Sequence, residues 1–365
     1  HLAEVSRLVK VSSPFLDVCV ILIQMLQDEQ LTKEKIIDSL YKVMCTGTHT
    51  QSDNRVTNND YFKRRVLGFR AEIEFEQTVK ESSNYSFLEG GMVFSSKLDG
   101  SENMKNDFSY VTFDSLPPEK YEFIYRQMAQ WNEVKRLIYV KINLDNWGEE
   151  NFLVKENDEK KTTNILAPDY EFYSFDKSIG FSKANSNDFS SILSMGRERK
   201  NTAPVFALRK REQFDYFNQY NLDTLKKIYA ERYFVDNKKR SVVMNMIDFD
   251  GFIVDEDKTL IVEIKEKSPI MDKKNPDDKK KWAYGWDTRR LLWYQYIQQK
   301  IGFNVLYNIR QIDNRHDRNF VKWDSILLSN FLKGVSWSSV RSGGGGEDTL
   351  TVPYLHFGEL KDLLN

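Results

Sequence analysis

Asp250, Glu263 and Lys265, within SVVMNMIDFDGFIVDEDKTLIVEIKEK from Ser241 to Lys267, are the residues whose types and spacing best suit chemistry. Two carboxylates offer hard oxygens to Mg²⁺, which takes oxygen ligands and keeps several of its waters. A metal held there polarises a phosphate and makes a bound water more acidic. An ammonium beside it orients the attacking water and stabilises charge on the phosphate oxygens. The backbone carbonyl of Ile264 is a further oxygen on the same stretch. Together these groups suit metal-assisted hydrolysis of a phosphodiester. An ordinary surface hairpin also places an acid ahead of Glu-x-Lys, so the flanking elements must decide.

Those elements are legible. Val242–Val254 is rich in β-formers, Asp255–Lys258 is a charged turn, and Thr259–Lys265 is a second strand, which together read as a hairpin. A period of two sets Leu260, Val262 and Ile264 on one face and Ile261, Glu263 and Lys265 on the other. The turn brings Asp250 opposite Glu263; Asp248 has the same parity, so alternation does not choose between them. Beyond Lys267 come a polar loop, an aromatic-rich helix from about Asp287 to Lys300 (DTRRLLWYQYIQQK), Gly302, and a strand from Phe303 to Ile309.

With its three motif positions filled by Asp250, Glu263 and Lys265, and with this order of elements, the stretch from about residue 220 to 312 resembles the PD-(D/E)XK nuclease superfamily, the restriction-endonuclease-like fold. The resemblance implies a mixed α/β core, a central mixed sheet flanked by helices. It implies Mg²⁺ held by Asp250, Glu263 and the Ile264 carbonyl, with Lys265 as the catalytic ammonium. Asp-Gly followed by Phe252, Ile253 and Val254 resembles the family spacing and favours Asp250 over Asp248, although Phe249 replaces the motif's proline. A further helix acid is expected: Glu231 in LKKIYAERYFV, or its rivals Glu72, Glu74 or Glu76 in GFRAEIEFEQTVKES, which would make the core helix N-terminal. Arg289, Arg290 and Lys267 are the phosphate contacts expected nearest the site; Trp293, Tyr294 and Tyr296 are expected to pack in the core. The implied activity is a Mg²⁺-dependent endonuclease on double-stranded DNA, of type II restriction kind. A structure- or end-directed nuclease of repair, recombination or phage biology, acting on DNA or RNA, and a catalytically silent nucleic-acid-binding module remain as alternatives.

At 365 residues the chain is long enough for two domains. The expected division is an N-terminal region over 1–195, a nuclease domain over 196–340 and a C-terminal tail over 341–365 behind the hinge Gly343–Gly346. Helical periodicity between Pro14 and Met44, a polar run, and a helix from about Asp60 to Glu81 suggest a winged-helix-like unit for target recognition. The net charge of −1 hides a basic stretch: from Arg197 to Arg240 twelve Lys and Arg stand against six Asp and Glu, with Arg209, Lys210 and Arg211 adjacent. These three are expected to hold a polyanion.

Other function classes find little support. Cys19 and Cys45 form no CxxC-type pair, which argues against a zinc site or disulfide framework and suits a reducing cytoplasm. Phe15–Met25 is too short to span a bilayer, so no membrane partner is expected. The start at His1 has no signal-peptide pattern. His49 and His316 have no second ligand at metal spacing, and neither GxSxG nor a phosphate-binding glycine loop occurs. A homodimer is one option for assembly.

Overall fold

The computed structural model describes residues 31–47, 59–81, 85–95, 108–156, 159–185, 197–198, 205–206, 211–238, 242–243, 245–256, 258–271, 274–335, 341–342 and 348–364. The chain forms two compact units that interleave along it. His1–Val56, Asn143–Asp169 and Thr202–Lys238 make one; Thr57–Ile142, Tyr170–Asn201 and Lys239–Asn365 make the other.

The second unit begins with helix α1 (Asn59–Glu81), strands β1 (Ser86–Ser95) and β2 (Phe108–Asp114), helix α2 (Glu122–Met128), and strands β3 (Val134–Glu156), β4 (Glu159–Asp176) and β5 (Gly180–Lys183). Parts of β3 and β4 belong to the first unit. It resumes with β6 (Asn245–Val254), β7 (Thr259–Lys267), β8 (Ala283–Asp287), α3 (Thr288–Ile301), β9 (Asn304–Ile312), β10 (Phe320–Leu327), α4 (Leu328–Gly334), β11 (Asp348–Pro353), β12 (Gly358–Glu359) and α5 (Leu360–Leu364). The strands pair in the order β3-β2-β1-β6-β7-β9-β10-β12. The β7–β9 and β2–β3 pairs are parallel, the others antiparallel. This is the mixed α/β class expected from the sequence, a large mixed sheet flanked by helices.

Local chemistry explains the elements around β7. Val254 pairs with Thr259 and Gly251 with Val262. The turn between β6 and β7 closes through Asp255 N–H donating to Lys258 O at 3.0 Å, and the Asp255 carboxylate accepts from Lys258 N–H at 2.5 Å. A parallel partner for β7 requires a crossover, and α3 supplies it. Asp287 caps α3 by accepting from the Arg290 N–H at 2.9 Å, and Gly302 ends it at φ 76°, a conformation glycine adopts at no steric cost. Ala71, Phe75 and Val79 of α1 and Leu360 of α5 pack with Leu260, Val262 and Ile264 on one face. Tyr125 of α2, Leu291 and Ile297 of α3 and Phe331 of α4 pack with Ile261, Val305 and Tyr307 on the other. With helices on both faces β7 and β9 are buried almost throughout, so a charged residue inside them stands out.

The first unit is built around helix Lys33–Cys45, which begins after Thr32 as the sequence indicates; Thr32 Oγ1 accepts from Lys35 N–H at 3.3 Å. Its residues Ile36, Ile37 and Leu40 are buried, as are Leu225 and Tyr229 of helix Leu222–Arg232, against which it packs. The Tyr229 hydroxyl donates to Leu166 O at 2.5 Å, and Leu166 N–H to the Ser39 hydroxyl at 3.1 Å.

Three organisational expectations change. Helices Lys33–Cys45 and α1, expected in one winged-helix-like unit, fall in different units; the earlier part of that expectation, residues 14–30, lies outside the described residues. One boundary falls at Asn201–Thr202, close to the expected division at 195, yet α1, β1 and β2 pack in the same unit as Asp250. Cross-strand pairing is the reason: Asn245 to Val254 pair with Ser95 to Ser86 along the length of β1. The C-terminal stretch is no loose tail, because β11 pairs with β8 from end to end and buries Leu350 and Val352.

Candidate active site

β6 and β7 bring Asp250, Glu263 and Lys265 together. The Lys265 ammonium lies 2.7 Å from Glu263 Oε1 and 3.3 Å from Asp250 Oδ2, and it donates to Ile264 O at 2.9 Å. Asp250 Oδ2 also accepts from Ile264 N–H at 2.6 Å, which fixes the carboxylate across the hairpin. The Glu263 side chain has 0% of its surface exposed. A buried carboxylate persists only when paired and hydrogen-bonded, and helix α3 supplies the partners. Arg290 donates to Glu263 Oε1 at 3.1 Å and Tyr294 to Glu263 Oε2 at 2.6 Å. These two residues are four apart on α3, so they share the face turned to β7.

The aspartates divide their roles. Asp250 reaches Lys265, whereas the Asp248 carboxylate pairs with Arg290 and is 43% exposed. Burial pushes the Asp250 carboxyl above its ordinary range, and the neighbouring Glu263 charge adds to this against the pull of Lys265. Burial also works to raise Asp248, but Arg290 wins and holds it below the ordinary range. For Lys265, burial alone would lower the pKa; Asp250 and Glu263 overcome it and hold the ammonium charged, above the usual lysine value. Burial lowers Lys267 to about 8, with Lys265 adding to the effect. Its amine donates to Gly285 O at 2.6 Å, tying β7 to β8 at the entrance to α3.

Glycines shape the strand opposite. A Cβ on Gly90 would stand 1.8 Å from Phe249 O, so β1 and β6 approach closely beside Asp250. Phe249 and Phe252, three residues apart, pack into the same core with ring centroids 6.1 Å apart. Regular alternation is therefore interrupted at Asp250–Gly251, which parity counting misses.

The other expected site residues lie elsewhere or stand alone. Glu74 accepts from Arg310 at 2.6 Å, and Arg310, Arg70 and Arg318 all engage Glu266, the neighbour of Lys265 that points to the opposite face. Glu76 pairs with Lys80, and Glu72 lies on the same α1 helix. Glu231 belongs to the first unit, where it pairs with Arg232. Arg289 is exposed on the first turn of α3. Arg209 and Lys210 lie outside the described residues, and Arg211 opens the short helix Arg211–Gln219 of the first unit. Tyr294, expected to serve only the core, is the residue that sequence reading missed; its spacing of four from Arg290 was the available signal. Trp293 and Tyr296 are partly buried against the core, as expected.

Among the described residues no group of three or more His, Cys, Asp or Glu is placed to hold a metal ion. The donors that do converge are two carboxylates and one backbone carbonyl, all within 3.3 Å of a single positive centre, the Lys265 ammonium. Three hard oxygens around one cationic point suit a divalent ion of the Mg²⁺ type. Among the described residues no helix is long and apolar enough to cross a membrane.

No family model matches the chain, and no curated protein matches it in sequence. Among solved structures, Hjc, a Holliday junction resolvase from the archaeal hyperthermophile Archaeoglobus fulgidus, aligns at 8% identity over 31% of this chain and 70% of that one, with a TM-score of 0.21. A likeness of that size leaves function to the chain's own residues.

Proposed function

We propose that this chain is a divalent-metal-dependent nuclease acting on DNA, with Asp250, Glu263 and the Ile264 carbonyl as the metal-holding oxygens and Lys265 as the catalytic ammonium. The observation that carries the proposal is the convergence of those three oxygens on one cationic point beside a helix that buries and orients Glu263. When bound, Mg²⁺ supplies electrophilic assistance to the phosphodiester. Glu263 is held in place by Arg290 and Tyr294, so its carboxylate is preorganised. Asp250 is fixed by the Ile264 N–H. Lys265, 31% exposed, is able to turn toward a phosphate oxygen and stabilise the charge that builds there. Arg289 is exposed on the first turn of α3, the helix that holds Glu263, and is the residue we assign to the DNA backbone.

The narrower form of the proposal is a type II restriction endonuclease whose target is read by the N-terminal region. Plasmid DNA and RNA incubated with the protein, with and without Mg²⁺, followed by end mapping, test both forms. Mg²⁺-dependent DNA cleavage at one sequence supports the restriction reading. Cleavage without sequence preference supports the nuclease and removes the restriction reading. No cleavage of either polymer removes both.

A further inference from the structure

Lys265 does more in this site than a catalytic ammonium requires. An ammonium has three N–H donors, and three oxygens meet it: Glu263 Oε1 at 2.7 Å, Ile264 O at 2.9 Å and Asp250 Oδ2 at 3.3 Å. They are the three oxygens assigned above to a metal. Each carboxylate oxygen offers about two acceptor positions. On Asp250 Oδ2 the other is engaged by the Ile264 N–H at 2.6 Å, and on Glu263 Oε1 by Arg290 at 3.1 Å. The position left on each of these oxygens is the one Lys265 fills.

We infer that Lys265 is the resident cation of the metal-free site and that a divalent ion enters by displacing it. This inference rests on the metal-dependent reading above and adds a competition to it. Asp250 and Glu263 are buried, and without a nearby positive charge two neighbouring buried carboxylates repel each other and lose solvation. Lys265 relieves that repulsion while the site waits for metal. A divalent ion held by Asp250, Glu263 and the Ile264 carbonyl would claim the same lone pairs. The ammonium, on a side chain 31% exposed, would then turn outward to solvent. The two roles of Lys265 are thus sequential: it neutralises the paired carboxylates, then is free to face substrate once displaced.

Lys267 provides the control. It carries the same charge two residues further along β7, but its amine donates to Gly285 O and touches none of the three oxygens. Removing it lowers the local positive charge without vacating the cation position.

The test is Mn²⁺ binding to the full chain, measured by titration calorimetry and by the electron paramagnetic resonance signal of free Mn²⁺, without DNA. Wild type is compared with Lys265→Met, which keeps the apolar stem, and with Lys267→Met. If Lys265 must be displaced, its removal tightens Mn²⁺ binding by about tenfold or more, since the competent state no longer has to be populated against the ammonium. Lys267→Met should change the affinity by less than about threefold, as a screened charge effect. Equal tightening in both variants, or unchanged or weaker binding in Lys265→Met with its circular dichroism intact, overturns the displacement. Should Lys265→Met fail to fold, Lys265→Gln takes its place under the same criteria. No Mn²⁺ binding by either wild type or the Lys265 variant removes the metal-dependent reading itself, a result distinct from binding of equal strength.

Discussion

Glu263 concentrates the energetic tension of the site. Its side chain is fully buried, and Lys265, Arg290 and Tyr294 are what make the charge tolerable there. Tyr294→Phe removes one of these partners and leaves the ring's packing in place. A hydrogen bond to a charged group is worth about 1.5–3 kcal/mol, so the urea midpoint should fall by a corresponding amount with the slope unchanged. An unaltered midpoint would show that the hydroxyl does not hold Glu263. Asp248 and Asp250 illustrate how residues of equal parity separate by partner: one meets an arginine at the edge, the other the ammonium inside.

At the scale of elements, β1 and β6 set the site by their close approach. Gly90→Ala drives a methyl group against the Phe249 carbonyl, and neither backbone can yield without moving Asp250. Overpacking of this kind costs about 1–3 kcal/mol or more, and Mn²⁺ affinity should fall with thermal stability. Gly68→Ala is the contrast: it lies in α1, and among the described residues nothing beyond its own helix comes within 4 Å of the added Cβ, so helix propensity should raise stability by about 0.5–1 kcal/mol. If both variants melt alike, the close approach does not matter. Much of this level could be read in advance. The hairpin of β6 and β7, helix α3 up to Gly302, and β9 follow from alternation and apolar period, both of them local signals. The pairing of β1 with β6 was not legible, because it joins segments about 150–170 residues apart in sequence and no local pattern encodes a partner. The break in alternation at Asp250–Gly251 was hidden for a related reason, since it depends on what Gly90 allows across the sheet. The Tyr294 ring is buried, as the aromatic-rich helix predicts; only its hydroxyl tells of the site.

At the scale of the whole molecule, the C-terminal stretch belongs to the unit that carries Asp250 and Glu263. β11 pairs with every residue of β8, and β8 leads directly into the Asp287 cap and α3. A chain ending at Val335 should therefore lose cooperative unfolding and not merely shed a tail, as circular dichroism melts would show. A truncated protein that melts like the full chain would contradict this. Deleting residues 1–195 should be equally destructive, because it strips α1, β1 and β2 from the sheet that carries Asp250. Point substitutions, not deletion, are the test of target reading by the N-terminal region.

The most direct test of the central claim is the rate of plasmid cleavage by purified wild type and Lys265→Met at saturating Mg²⁺. Saturation removes any difference in metal affinity and leaves the contribution of the ammonium to charge stabilisation. A single lost donor of this kind costs on the order of 10²–10³ in rate, so wild type should cut and Lys265→Met should be slower by about that factor. Cleavage by Lys265→Met at the wild-type rate, in a preparation free of contaminating nuclease, would contradict the assignment of Asp250, Glu263 and Lys265 as an active site.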